Sequence, residues 1–469
     1  MTVSVIPTRK SRGAAGAGGG GHEEACLLVD APPAKKPHAR VAAWGVTDTA
    51  SVGLRVHHFF LLALLALLLL LVLAATVTTD HGDGASEPLA PAMTTASRSH
   101  DNGGVRAAGE CDMSSGRWVY DGAAYPLYRE SACRFMSDQT ACEKFGRTDL
   151  RYQRWRWQPH GCDLPRFDAM KLLQRLRNKR LAFVGDSLNR NQWVSMVCLI
   201  DTATPTLHKS MANNGSLISF KIHEFNASVD FYWSPLLVES NSDDPVYHQT
   251  PDRAVRAGSI AKHARRWTGA DVLVFNSYLW WRRPAIKVLR GSSFEAAAAY
   301  EVTDGLRAFE LALRTWSDWL EHHLDRARTQ LFFTSTSPTH QHSDEWEVNA
   351  GDDGASSNHQ CYNETEPILA EEVHRGRDTD PAFARAVEAE VARLAERGVA
   401  VRVLDVTRLS EHRKDAHPSV HRRQWTPPTA AELAARERDP SSGADCVHWC
   451  LPGVPDVWNQ MLYAHIVAS

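Results

Sequence analysis

The stretch Phe183-Val184-Gly185-Asp186-Ser187-Leu188-Asn189-Arg190 decides how the rest of the chain is read. Leu181–Val184 is a short apolar run, the pattern of a strand buried on both faces. Asn191–Ile200 follows with helical spacing. Gly185 permits a tight exit from the strand. Ser187 then falls at the strand's carboxyl end and at the start of a helix, where unpaired backbone N–H groups can face a developing oxyanion. Helix capping by Asp186 or Ser187 explains the same residues without any chemistry.

Working outward, apolar runs and helical segments alternate. Val272–Phe275, Leu331–Phe333 and Val401–Val406 read as further buried strands. Residues 304–325, 381–397 and Val454–Val467 read as helices, the first from Leu306, Phe309, Leu313, Trp316 and Leu320. This predicts the α/β class, with a parallel sheet covered on both faces. Ligands of such sheets bind beyond the carboxyl ends of the strands, which is where Ser187 falls. Residues 430–444 read as a surface insertion. Residues 111–163 hold four cysteines and seven Trp or Tyr residues, and read as a disulfide-held cap rather than a hydrophobic layer.

A serine hydroxyl needs a base, and that base needs a carboxylate to set its tautomer. Asp445-Cys446-Val447-His448-Trp449-Cys450 supplies both within one turn, flanked by cysteines that can hold it rigid. Rival bases are Asp415 with His417, and His340 with His342; they also fit as positioning groups or loop residues. Trp280, Trp281 and the adjoining Arg282 and Arg283 are candidate substrate-groove lining, or else core plus a charged surface.

Phe59–Val77 is apolar apart from Thr76 and, at about 1.5 Å per residue, spans a hydrocarbon core roughly 30 Å thick. Arg and Lys precede it; Asp80, Asp83 and Glu87 follow it. The expected order is a cytosolic tail (1–58), a transmembrane signal anchor (59–77), a lumenal stem (78–110) and a lumenal catalytic domain (111–469). A cleaved signal peptide is the competing reading, disfavoured by the length of the run and its distance from Met1. Cys26 lies before the anchor, whereas Cys111, Cys133, Cys142, Cys162, Cys198, Cys361, Cys446 and Cys450 follow it. That even count suits four disulfides in an oxidising compartment. Zinc is the rival use, but Cys446 and Cys450 lack a second pair at ligand spacing, so no metal site is expected. Asn214, Asn226 and Asn363 head N-glycosylation sequons. The net charge of −3 and the absence of nucleic-acid motifs argue against nucleic-acid partners.

The Gly-Asp-Ser block and the terminal Asp-x-x-His resemble the SGNH/GDSL esterase superfamily. Further stretches sharpen the match: residues 119–168, FVGDSLNRNQWVSMVCL (183–199), DVLVFNSYLWW (271–281), TSTSPTH (334–340) and DCVHWCLPGVPDVWNQML (445–462). Together they resemble the plant trichome-birefringence-like polysaccharide O-acetyltransferases, in particular the xylan-acetylating branch, across 111–469. The resemblance implies a single-pass type II Golgi membrane protein with an SGNH-like three-layer lobe and a smaller disulfide-rich second lobe. It implies Ser187 as nucleophile, His448 as base, Asp445 as its orienter and Asn276 as an oxyanion donor. Gly185, Asp186 and Arg190 would support the site. The superfamily's oxyanion glycine has no counterpart that can be placed here. The implied disulfides are Cys111–Cys162, Cys133–Cys198, Cys142–Cys450 and Cys361–Cys446. The implied reaction moves acetyl through Ser187 to O2 or O3 of xylosyl residues. An acetylesterase of the same fold, or transfer to mannan, xyloglucan or pectin, stays open. No bound cofactor is expected; the acetyl donor is left open, acetyl-CoA being one candidate.

Overall fold

The structure is a computed structural model that describes residues 111–290, 299–346, 359–369, 377, 379–424 and 427–468. The expected tail, anchor and stem lie outside the described residues. Among the described residues no helix is long and apolar enough to cross a membrane.

The chain opens on an antiparallel ribbon of β1 (Gly116–Tyr120) and β2 (Trp155–Pro159). Helix α1 (Ala169–Arg175) starts on Asp168, whose carboxylate accepts the Lys171 N–H. Strand β3 (Arg180–Gly185) then passes through a single residue, Asp186, into α2 (Ser187–Ala203). Next come β4 (Lys209–Asn214), β5 (Leu217–Ile222) and β6 (Ala227–Trp233). A short β7 (Glu239–Ser240), β8 (Ala254–Arg256) and helix α3 (Ala261–Trp267) lead to β9 (Val272–Phe275). Strands β10 (Ile286–Leu289) and β11 (Tyr300–Thr303) precede α4 (Gly305–His323), and β12 (Gln330–Thr334) follows it. Helix α5 (Pro381–Glu396), β13 (Val401–Leu404) and α6 (Val454–Ala468) complete the fold.

The main sheet has seven strands in the order β13-β12-β9-β3-β6-β5-β4. The run from β13 to β6 is parallel, but β5 and β4 join antiparallel. The expectation of a parallel sheet is therefore corrected to a mixed one. Strand β4 is an edge strand rich in Lys, Ser and Asn and largely exposed, so it lacks the buried apolar run that marks the others. It turns into β5 through Gly215-Ser216, with Gly215 at φ +64°, as a two-residue hairpin loop demands. A separate four-stranded sheet runs β11-β10-β8-β7.

Alternation along β3 builds the layers. Leu181 and Phe183 face one core with α2, α6 and α1; Ala182 and Val184 face the other with α3, α4 and α5. Helix α4 is capped by Asp304 and buries Ala308, Phe309, Ala312, Leu313, Trp316 and Leu320, a single stripe. Trp118, Tyr128, Tyr152 and Trp157 of the N-terminal segment belong to the same core as α2 and α6. This corrects the expectation of a cap in place of a hydrophobic layer: these rings fill the core beside the sheet. The segment is also crosslinked by Cys111–Cys162 internally, by Cys133–Cys198 to α2 and by Cys142–Cys450 to the loop before α6. Cys361–Cys446 ties down the same loop, so the pairing is the one the resemblance implies and leaves Cys446 and Cys450 no zinc role. Residues 430–438 form a helix with no buried residue, in keeping with a surface insertion.

Candidate functional site

Strand β3 sits mid-sheet and its carboxyl end carries the site. A Cβ on Gly185 would lie 2.4 Å from the Asn276 carbonyl oxygen, so only glycine lets β3 and the end of β9 approach this closely. Asp186 caps α2 by accepting the Leu188 N–H at 2.9 Å, which leaves Ser187 leading the helix. Both readings of the motif hold: Asp186 is the cap and Ser187 is left to act.

The Ser187 hydroxyl lies 2.8 Å from His448 Nε2. His448 Nδ1–H donates to Asp445 Oδ2 at 2.9 Å. Asp445 Oδ1 also accepts the backbone N–H groups of Val447 and His448, at 3.2 and 3.1 Å, so the carboxylate is fixed by its own turn. Because an ionised carboxylate can only accept, Nδ1 carries the proton and Nε2 presents its lone pair to Ser187. Burial works against charge on both Asp445 and His448, but their mutual attraction outweighs it. The Asp445 carboxyl is held well below the usual range and the His448 imidazole is raised above its ordinary value. Arg422 Nε, 3.8 Å from Asp445, adds to the hold on the carboxylate. Asp186 is pushed up to about 6 by burial, against the N–H groups of Leu188 and Asn189 that favour its charge.

The loop bearing His448 is locked from several sides. Asn191, four residues after Ser187 on α2, accepts the Trp449 N–H at 2.8 Å and donates to its carbonyl at 3.2 Å. Asp445 and Ser419 exchange backbone bonds, and the Leu451 N–H donates to Thr140 of the N-terminal segment. Of the rival bases, Asp415, His417 and His340 are engaged in other contacts. Asp415 is consumed in an ion pair with buried Arg413. His417 bonds the His448 carbonyl through Nδ1 at 2.7 Å and touches buried His340 at 2.6 Å. Burial, reinforced by His340, drives the His417 pKa well below its ordinary value.

Other expectations fare differently. Asn276 is buried, and its amide N–H donates to the Thr334 carbonyl at 3.2 Å, while its oxygen finds no hydrogen-bond partner. One of the two amide N–H groups of the expected oxyanion donor is thus engaged with the main chain. Trp281 is fully buried, donates to Ser277 Oγ and packs on Phe309, so it is core and not groove lining. Trp280 is half-buried and packs edge-on against Trp233 and His248, with the Arg253 guanidinium over its ring. Trp233 pairs in register with Gly185, which puts Trp280 at the sheet end that carries Ser187. Arg282 is half-buried nearby, and Arg283 is exposed. Arg190 is half-buried and burial lowers its pKa, with no carboxylate contributing. The three sequon asparagines, Asn214, Asn226 and Asn363, are all exposed.

Two residues near the serine carried no signal in the sequence. Asn189 is 1% exposed, and both polar atoms of its side chain lack a partner. Gln139, from the N-terminal segment, places its amide nitrogen 3.1 Å from His448 Nε2. Asn191 was findable, since it lies one helical turn beyond Ser187.

A hydroxyl, an imidazole and a carboxylate in series, opening on a helix N-terminus, are the parts of a serine-dependent acyl-transfer enzyme. Comparison with known proteins gives the lineage. The chain belongs to the GDSL/SGNH-like acyl-esterase family found in Pmr5 and Cas1p, whose model matches residues 164–465, and the Pmr5 N-terminal domain matches 109–163. It is 63% identical to Xylan O-acetyltransferase 14 of Oryza sativa subsp. japonica, with both chains covered in full. It is 53% identical to Protein trichome birefringence-like 34 of Arabidopsis thaliana, over 76% of this chain and 85% of that one. To Xylan O-acetyltransferase 12 of the same rice it is 49% identical, over 78% of this chain and 71% of the relative.

Proposed function

We propose that this protein transfers acetyl groups to xylan through an ester on Ser187. The observation that carries the reading is the Ser187–His448–Asp445 relay, with contacts of 2.8 and 2.9 Å, in a chain 63% identical over its full length to a xylan O-acetyltransferase. His448 takes the Ser187 proton as Oγ attacks the acetyl donor. The tetrahedral oxyanion forms beside the N-terminus of α2, whose dipole favours negative charge. The leaving group collects the proton from His448 and departs. A xylosyl O2 or O3 hydroxyl then enters, His448 removes its proton, and the sugar oxygen attacks the acetyl carbon. Ser187 regains its proton as the ester breaks. Asp445 stabilises the imidazolium in both halves.

Trp280 and Arg282 line the acceptor side in this account, and Asp186 and Arg190 support the serine. The donor enters as a substrate, with acetyl-CoA a candidate. The apolar run 59–77, with its basic flank before and acidic flank after, supports a single-pass type II anchor and a Golgi-lumenal site. The test is acetyl transfer by the purified protein to xylan, mannan, xyloglucan and pectin oligosaccharides, with NMR of the products. Acetyl at O2 or O3 of xylosyl units is the expected product. Net loss of acetyl from acetylated xylan would instead make the enzyme an esterase.

A further inference from the structure

Acetyl-Ser187 is an ester facing water at molar concentration, so a transferase must favour a sugar hydroxyl over water at His448 Nε2. Beside Ser187, a second side chain meets that atom: Gln139, which comes from the N-terminal segment rather than from the sheet. We propose that Gln139 is the acceptor-positioning residue: its amide holds the place at His448 Nε2 that the incoming sugar hydroxyl takes, and keeps water from it. This rests on the acyl-enzyme reading above and extends it to the choice of acceptor.

The geometry is specific. His448 Nε2 has one lone pair, because Nδ1 donates to Asp445. In the free enzyme two donors converge on it, the Ser187 hydroxyl at 2.8 Å and the Gln139 amide at 3.1 Å. Acetylation removes the serine's proton, and the amide then holds Nε2 alone. An acceptor hydroxyl must displace the Gln139 N–H to reach the base. A sugar held at several points along its length can do so with the help of its other contacts, which a lone water lacks. The displaced amide remains beside the reacting hydroxyl. Its Oε1 makes no hydrogen bond among the described residues, so it is available to accept from a neighbouring hydroxyl of the same ring.

Gln139 is also held there by construction. On one side Cys133 is bonded to Cys198 of α2, and Arg134 grips Asp201. On the other, Cys142 is bonded to Cys450, two residues from His448. Asp138, next to Gln139, pairs with Lys144 and Arg423.

In the step concerned, the acceptor O–H proton passes to His448 Nε2 and the acceptor oxygen forms a bond to the acetyl carbon. The Ser187 Oγ–carbon bond then breaks, and Oγ takes the proton from Nε2. No other reactant is needed.

The test uses the intact protein acetylated by p-nitrophenyl acetate, with xylo-oligosaccharide present, and measures the ratio of transfer to hydrolysis. Gln139→Met, similar in length but without N–H, is expected to shift the ratio roughly tenfold toward hydrolysis. Gln139→Glu sets a carboxylate beside His448 and is expected to move the acid limb of the pH–rate profile upward by about one unit. Thermal melts check that each variant is folded. A ratio within twofold of wild type in Gln139→Met, with the pH limb unmoved in Gln139→Glu, overturns the proposal even where Ser187 acetylates normally. Failure of the wild type to acetylate on Ser187 would overturn the acyl-enzyme reading and this inference together.

Discussion

At the scale of single residues, the strongest constraint is on the charge of the relay. Asp445 is ionised throughout the working range, so its carboxylate sets the His448 tautomer and raises its pKa. The base works only when neutral. Activity should therefore rise with pH through an inflection above the ordinary histidine value of about 6.5. Asp445→Asn removes the charge that raises the pKa, so the inflection should move down. It should also lower kcat by roughly a thousand- to ten-thousandfold, because the tautomer is no longer imposed. A pH profile of kcat/KM for both enzymes checks the two statements together. Gly185→Ala belongs to the same scale: its Cβ meets the Asn276 carbonyl, and the backbone must yield. A loss of about 1–3 kcal/mol in urea unfolding is expected.

At the scale of elements, the site is an agreement between the start of α2 and the loop before α6. Asn191 makes that agreement with two hydrogen bonds to Trp449. Asn191→Ala would leave a buried N–H and a buried carbonyl unpaired, for about 2 kcal/mol of stability. His448 would be freed to drift, so kcat should fall more than KM rises, which steady-state kinetics beside thermal melts can show. The elements themselves were largely legible in the sequence. β3, β9, β12 and β13 are apolar runs, and α4 and α5 carry stripes with Asp caps. β6 was not legible, because Ser228 and Asp230 interrupt it; Asp230 is buried only through its ion pair with Arg180. The edge hairpin β4–β5 is polar and gives no burial signal. Ser187, Asp445 and His448 were legible because serine chemistry requires those types at those places. The place of Trp281 was not legible, because a Trp-Trp-Arg-Arg run reads alike for a groove and for a core edge, and only burial separates them. Gln139 carried no signal at all: its role comes from a contact across 309 residues of chain.

At the scale of the whole molecule, the N-terminal segment shares one aromatic core with the sheet and its helices, and is crosslinked to α2 and to the loop before α6. Cys142–Cys450 closes a span of 308 residues and ends beside the base. Replacing both cysteines with alanine should cost about 2–5 kcal/mol and lower activity in the surviving folded fraction, measured by melts and rates on the same samples. The central claim is that the acetyl group passes through Ser187 on its way to a sugar. Peptide mass spectrometry after mixing with donor, before and after a chase with xylo-oligosaccharide, tests it most directly. One acetyl should appear on the Ser187 peptide and disappear in the chase as an equal amount of acetylated sugar forms. Acetylated sugar forming at full rate in Ser187→Ala, or without acetyl ever reaching that peptide, would contradict it.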